Sequence, residues 1–257
     1  MSLQGKVALI TGASRGIGLT MARILAEKGM LVAMVARSER VEQEAEALRA
    51  AGLKTIAIRA DITRKAEVDA MVERVEKELG PLWLLVNNAG VLHVAPTAEM
   101  SEEAWDEAFA VDAKGVFLCS QAAIQRMIPR KAGRIVNISS IAGIIVRTNQ
   151  VGYSSAKAAV IHLSRCLAVE MAPHSITVNC LCPGMTQTEM LAHSAKKNNL
   201  DLDAMVALIP AGHMAQSEDH AHLVAYFASE EAGHVTGQVI SVDGGQSDYH
   251  PLMAQRI

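Results

Sequence analysis

The stretch "VALITGASRGIG", residues 7–18, carries two patterns end to end. Residues 7–11 are aliphatic or β-branched and uninterrupted by charge, as expected of a strand covered on both faces. Gly12, Gly16 and Gly18 follow, and residues 16–28 then place their apolar positions at helical spacing. A strand passing through a glycine-rich turn into a helix is one unit of an alternating α/β chain, provided the unit recurs.

It recurs. Apolar runs of the same kind stand at "LVAMV" (31–35), "TIAIR" (55–59), "LWLLVN" (82–87), "RIVNIS" (134–139), "ITVNCLC" (176–182) and "VISVD" (239–243). Between them, stretches such as 39–51 and 64–79 alternate charged and apolar residues at helical spacing. Seven strands alternating with helices predict one α/β domain over residues 1–257, a Rossmann-type doubly wound seven-stranded parallel sheet. No linker, low-complexity tract or fixed-period repeat divides the chain. The regularity fails between Cys182 and Val239, where more than fifty residues intervene, including the polar "AHSAKKNNLDLD" (192–203). That is long for a connection in a compact fold. A lid over a site at about 186–210 and a solvated excursion both fit.

Composition limits the function. Half the residues are hydrophobic, and the formal net charge of −3 argues against a nucleic-acid partner bound through an overall basic field. No apolar run is long enough to span a bilayer and no secretory signal opens the chain, so neither a membrane nor export is expected. The cysteines at 119, 166, 180 and 182 offer a single C-x-C without a His or Cys cluster, a poor zinc site. No metal is expected. Cys180 and Cys182 read as buried thiols on one strand face, and thiols without a disulfide framework point to the cytoplasm.

The glycine turn carries the first chemistry. Glycines between strand and helix permit a tight turn, close backbone approach to a pyrophosphate and close helix packing. The helix N-terminus then offers free N–H groups and a partial positive charge to phosphates. Its place after the first strand makes a dinucleotide site the favoured reading over an ordinary turn. An acid about twenty residues past the glycines would favour NAD, but "VARSER" (35–40) puts Ala36 and Arg37 at the second strand's end. Arg15, inside the turn, approaches the same ribose. Two guanidiniums suit a 2′-phosphate, so NADP(H) is expected over NAD(H), the alternative being two solvated surface arginines.

In "YSSAK" (153–157), Tyr153 and Lys157 share a helical face if a helix begins here. A phenol's ordinary pKa of about 10 suits proton transfer poorly near neutrality, and lowering it by about three units needs roughly 4 kcal/mol. A nearby ammonium in a partly dry site can supply energy of that order, as can the positive charge of an oxidised nicotinamide.

With "TGASRGIG" (11–18), "AD" (60–61), "NNAG" (87–90), "ISS" (138–140), "YSSAK" (153–157) and "PGMTQT" (183–188) in this order, nearly the whole chain resembles the classical short-chain dehydrogenases/reductases. The resemblance implies hydride transfer between an alcohol or ketone and a nicotinamide, in a homotetramer or homodimer. It implies a cofactor-binding part over about 1–137 and a catalytic and substrate part over about 138–257. Cofactor contacts would then come from Gly12, Ser14, Arg15, Gly16, Ile17, Gly18 and Arg37, with Asp61 and Ile62 at the adenine. Asn88, Ala89 and Gly90 would line the cofactor where the fourth strand ends, and Pro183, Gly184, Met185, Thr186 and Thr188 its nicotinamide end, with Tyr153 and Lys157 also touching it. Ser140 would polarise the substrate carbonyl, Tyr153 would act as acid and base, and Ser139 would be structural. In "FAVDAKGVF" (109–117), Asp112 stands where the family usually has an asparagine that completes a catalytic tetrad. It is expected to serve in the proton relay. As a buried carboxylate it would need a partner or a raised pKa, and if charged it would oppose the Tyr153 phenolate.

Substrate identity is the least legible property. Residues 141–150, His93 and the 185–210 segment are expected near it. Arg147 either meets an anionic substrate or faces water. A reductase of small ketones, sugars or polyols is the leading reading. A 3-oxoacyl-[acyl-carrier-protein] reductase is the alternative, since Arg130 and Lys131 fit an acidic carrier, although His174 stands where a second arginine is often found. A non-catalytic nicotinamide-binding regulator is a third. Helices near 101–128 and 154–171, and the tail "DYHPLMAQRI" (248–257), are the expected subunit contacts.

Overall fold

The computed structural model describes residues 3–198 and 201–248. All seven expected strands form, as β1 (Val7–Thr11), β2 (Leu31–Ala36), β3 (Thr55–Arg59), β4 (Leu82–Asn87), β5 (Gly133–Ile138), β6 (Ile176–Pro183) and β7 (Val239–Val242). They make one parallel sheet in the order β3-β2-β1-β4-β5-β6-β7. The alternation of side chains explains why the strands read as continuously apolar. Leu9, Ala33 and Val35 pack into the core on one face, while Ala8, Ile10, Val32 and Met34 pack into the core on the other.

Helices cover both faces. The first core receives α3 (Lys65–Leu79) and α5 (Val116–Met127), through Val68, Val72 and Cys119 among others. The second receives α1 (Gly16–Glu27), α2 (Arg40–Ala50) and α9 (Ser217–Ala228), through Met21, Val41 and Phe227. The chain fills β1, β2 and β3 outward in one direction and then returns to place β4 on the other side of β1. That reversal separates the loops at the carboxyl ends of β1 and β4 and opens a crevice between them.

The stretch 101–128, expected to hold helices, is divided by a wide turn. It consists of α4 (Glu102–Phe109), capped by Ser101 accepting from the Ala104 N–H, then a π-helical turn over Ala110–Gly115, then α5. The wide turn sits against the third strand's loop, where a Cβ on Gly115 would lie 2.6 Å from Ile62 Cδ1. Its effect is to carry Asp112 fully into the interior, the kind of local re-aiming for which π-turns recur at functional sites. The long α6 (Val151–Met171) begins just before Tyr153.

Between β6 and β7 the chain forms α7 (Glu189–Asn198) and α8 (Leu202–Val206) before α9. The polar stretch 192–203 is largely helical, its residues 199–200 lying outside the described ones, as do residues 249–257 of the tail. Cys180 and Cys182 are buried together with Val160 and Ile161, and Cys119 is also buried, whereas Cys166 is exposed. Among the described residues no helix is long and apolar enough to cross a membrane, and no cluster of His, Cys, Asp or Glu could hold a metal ion.

Candidate active site

The crevice at the carboxyl ends of β1 and β4 is a cleft of about 490 Å³, and every residue named above for cofactor contact lines it. The glycines differ in what they do there. Gly12 has φ +67°, and a Cβ on it would lie 2.7 Å from Ala89 Cα. On Gly18, a Cβ would lie 2.4 Å from both Asn88 Nδ2 and the Gly12 carbonyl oxygen. These two glycines let the turn pack on the end of β4. Gly16, at φ +54°, meets nothing nearer than Thr188 Cγ2 at 3.7 Å and leaves the wall open. The turn is fastened by Asn88, whose Nδ2 donates to the Thr11 and Gly12 carbonyls at 3.0 and 3.2 Å. Thr11 Oγ1 in return accepts from the Asn88 and Ala89 N–H groups at 3.0 and 3.1 Å.

These features fit a dinucleotide. The first turn of α1 has no side-chain cap and no acidic residue, so its leading N–H groups are left to a phosphate. Arg15 and Arg37 both line the adenosine end of the cleft, and Arg37 makes only a loose 3.7 Å contact with Glu107. A third guanidinium, unremarked in the sequence although it ends "VARSER", joins them. Arg40 lines the same wall and grips Glu189 at the start of α7 through two hydrogen bonds of 2.9 and 3.0 Å. This ion pair ties α7 to the start of α2 across the cleft. Asp61 accepts from the Thr63 N–H at 2.9 Å and its hydroxyl at 2.8 Å. Burial raises its pKa, but these bonds, with Arg37 and Arg64 nearby, hold it below the usual carboxylate value.

At the other end, β5 and α6 bring Ser140, Tyr153 and Lys157 together. Ser140 caps the 3-10 turn Ile141–Gly143 by accepting from the Ala142 N–H at 3.1 Å. Ser139 is buried and donates to the Lys157 carbonyl at 2.8 Å. Lys157 Nζ stands 5.6 Å from the centre of the Tyr153 ring, donates to the Ile138 carbonyl at 3.1 Å, and lies 3.3 Å from Asp112 Oδ1. Asp112 does not line the cleft; it sits behind Lys157 and accepts from the Val91 N–H at 3.2 Å. Gly90 makes the room, since a Cβ there would lie 2.6 Å from Asp112 Oδ1 and 3.3 Å from Lys157 Nζ.

The electrostatics correct one expectation. Burial pushes the Tyr153 phenol up, Lys157 pulls it down, Asp112 pushes it up again, and the net position is above the ordinary phenol value. The ammonium alone therefore does not lower Tyr153. The anticipated cost of burying Asp112 is met in both ways: burial raises its carboxyl, while Lys157 and the Val91 N–H oppose the rise. Burial disfavours the Lys157 ammonium, yet Asp112 and Tyr153 outweigh that and leave it above the usual lysine value.

Other expected positions fall elsewhere. Of residues 141–150, Ile141, Ala142, Arg147 and Gln150 line the cleft, whereas Ile144 and Val146 are exposed. His93 lies outside the lining and bonds Glu107 at 2.9 Å. Within the chain, Arg130, Lys131 and His174 are not beside the cleft. They precede β5 and β6 at the sheet's amino-terminal edge, where Arg130 pairs with Glu76 at 2.8 Å and bonds the Leu82 carbonyl.

A doubly wound parallel sheet whose cleft opens at the reversal of strand order is an NAD(P)-binding Rossmann fold. A family model described as short chain dehydrogenase matches residues 6–199, and the chain belongs to the classical short-chain dehydrogenase/reductase family, oxidoreductases of alcohol and carbonyl groups. It is 39% identical to the 3-oxoacyl-[acyl-carrier-protein] reductase FabG of Staphylococcus aureus, over 93% of this chain and 97% of that one. To the 2,3-dihydro-2,3-dihydroxybenzoate dehydrogenase of Bacillus subtilis it is 36% identical, over 95% and 96%. Among solved structures, an actinorhodin polyketide ketoreductase variant with NADPH superposes with a TM-score of 0.91 at 34% identity, over 95% of this chain and 98% of that one.

Proposed function

We propose that the protein is an NADP(H)-dependent reductase or dehydrogenase of a small ketone, sugar or polyol, using Ser140, Tyr153 and Lys157. The observation that carries this is the convergence, in one cleft, of Arg15 and Arg37 at one end and Tyr153 above the buried Lys157 at the other. The guanidiniums suit the 2′-phosphate of NADP(H). When bound, the nicotinamide supplies or takes up the hydride and, oxidised, adds a positive charge beside the phenol.

The chain's own residues handle the proton. Ser140 Oγ donates to the substrate oxygen and fixes it beside the Tyr153 hydroxyl. In reduction Tyr153 gives its proton to the developing alkoxide; in oxidation the phenolate takes the proton from the alcohol. Lys157 stabilises the phenolate, and Asp112 holds Lys157 charged and in place, so Asp112 is a positioning residue of the relay. Residues 1–137 supply most of the dinucleotide wall and residues 138–257 the proton-handling wall, with α7 and α8 as a lid tied down by Arg40–Glu189. The buried thiols suit work in the cytoplasm, and a homotetramer or homodimer built on α4–α6 is the assembly we expect.

The carrier-protein reading keeps the support of the FabG likeness, but the pairing of Arg130 with Glu76 and its distance from the cleft within one chain favour a small substrate. Reduced-nicotinamide absorbance, followed with NADPH and NADH over ketones, sugars and acyl thioesters, tests the reading. NADPH-preferring turnover on small carbonyls is expected. Tyr153→Phe should cut kcat by about 10²–10⁴-fold while leaving the NADPH Kd within about two-fold. Bound nucleotide with no turnover on any substrate would instead favour the regulator.

A further inference from the structure

The substrate half of the cleft holds one cation that no protein group among the described residues pairs with. Arg147 stands on the loop between Ser140 and Tyr153 and lines the cleft together with Gln150. It is half-buried, yet among the described residues no carboxylate lies within ion-pair reach of its guanidinium and no acceptor bonds it. The other cations along the cleft are engaged or exposed. Arg40 pairs with Glu189 and Glu44, Lys157 with Asp112, and Arg37 approaches Glu107. Burial pulls the Arg147 pKa down and no acid offsets it. A half-buried guanidinium lining an open cavity leaves its hydrogen-bond fork free for an arriving anion, whose charge it meets in partly dehydrated surroundings.

The surroundings define that anion. Ile141, Met185, Met190 and Met205 make the neighbouring cleft wall apolar, which suits a hydrocarbon body. A single planar fork matches a carboxylate through two parallel hydrogen bonds, whereas phosphate sites commonly gather several donors and cations, as Arg15, Arg37 and the first turn of α1 do at the far end. We propose that Arg147 is the substrate-anchoring residue, and that the substrate is a small alcohol or ketone bearing a carboxylate, gripped by Arg147 while its reacting oxygen lies between Ser140 and Tyr153. A carboxylate so held fixes both ends of a short substrate, which contributes orientation as well as affinity.

The proposal rests on the cleft being an alcohol–ketone site, and a binding measurement keeps the two apart. Acid and amide pairs built on cyclohexane, benzene and butane are titrated by calorimetry into wild type and Arg147→Gln, each with and without NADP+. In wild type the acids should bind about ten-fold or more tighter than the amides, as expected for a charge-assisted pair. In Arg147→Gln that preference should vanish, with amide and NADPH affinities unchanged within about three-fold. Acids and amides binding alike in wild type across the three pairs, or an acid preference that survives in Arg147→Gln, would overturn the proposal. Neither result depends on turnover, so an inactive protein that still prefers acids would count against the proposed alcohol–ketone substrate and leave the anion site standing.

Discussion

Replacing Asp112 with asparagine keeps the side chain's shape and removes one buried negative charge. The consequences can be worked from two distances: Asp112 lies 3.3 Å from Lys157 Nζ, which lies 5.6 Å from the Tyr153 ring centre. End to end, these put the carboxylate within about 9 Å of the ring, and at an effective dielectric of about 20 a charge there costs the phenolate on the order of 1–2 kcal/mol, the scale of one pH unit. Asp112 does push the Tyr153 phenol up and the Lys157 ammonium up. Removing it lets both fall. Alcohol oxidation needs the phenolate, so its rate rises as pH passes the Tyr153 pKa, and it falls again where Lys157 discharges. In Asp112→Asn both limbs should therefore move to lower pH, the acid limb by about one unit. Burial raises the Asp112 carboxyl itself, so the shift is read fully only above that group's own titration. His93, which also acts on Asp112, and the Cys180–Cys182 pair are unchanged by the substitution. The assay is kcat for oxidation against pH at saturating NADP+, for both proteins. Limbs that stay in place, or an acid limb that moves upward, would refute the electrostatic link between Asp112 and Tyr153.

Arg37→Ala should weaken NADPH by about ten-fold while sparing NADH, since it removes one charge-assisted bond to the 2′-phosphate; equal losses for both nucleotides in fluorescence titration would argue against that contact. Gly18→Ala drives a methyl to 2.4 Å from the Gly12 carbonyl and Asn88 Nδ2, so urea unfolding should show a loss of about 1–3 kcal/mol, and an unchanged midpoint would count against the packing account. His220 is buried, bonded to Thr186 Oγ1 at 2.8 Å, and held by burial at a pKa of about 4. The unfolded chain protonates it first as pH falls, so its stabilising contribution is whole above about pH 6.5 and is lost between there and about pH 4, to a total of about 3 kcal/mol. A His220→Gln variant should lack that component in unfolding curves taken at pH 7, 5.5 and 4, and identical pH slopes for the two proteins would show that another group carries the effect.

Much of the architecture was readable because parallel strands buried on both faces have nowhere to hide polar residues. "VALIT" and "LVAMV" announce themselves, and each of the seven runs became a strand within about two residues of its expected ends. The break of the 101–128 stretch by a π-turn was not readable, because apolar spacing runs through "FAVDAKGVF" almost undisturbed. Arg40 escaped notice although it closes the quoted "VARSER", since a basic residue after a strand reads first as a solvated helix start. Within one chain Arg130 lies away from the cleft for a geometric reason: residues just before a parallel strand lie at the sheet edge opposite the one that holds the crevice.

By itself the sequence determined the fold class, the glycine turn and the spacing that puts Tyr153 and Lys157 on one helical face. Those are properties of local periodicity and of residues a few positions apart. Only the tertiary structure decided that the Asp112 side chain meets Lys157 at 3.3 Å, that the net balance pushes the Tyr153 phenol up rather than down, and that Arg147 lines the cleft with no protein partner among the described residues. Charge balance in a buried site depends on which side chains meet across the sheet and how much water they lose. Neither quantity is written in the spacing of residues along the chain.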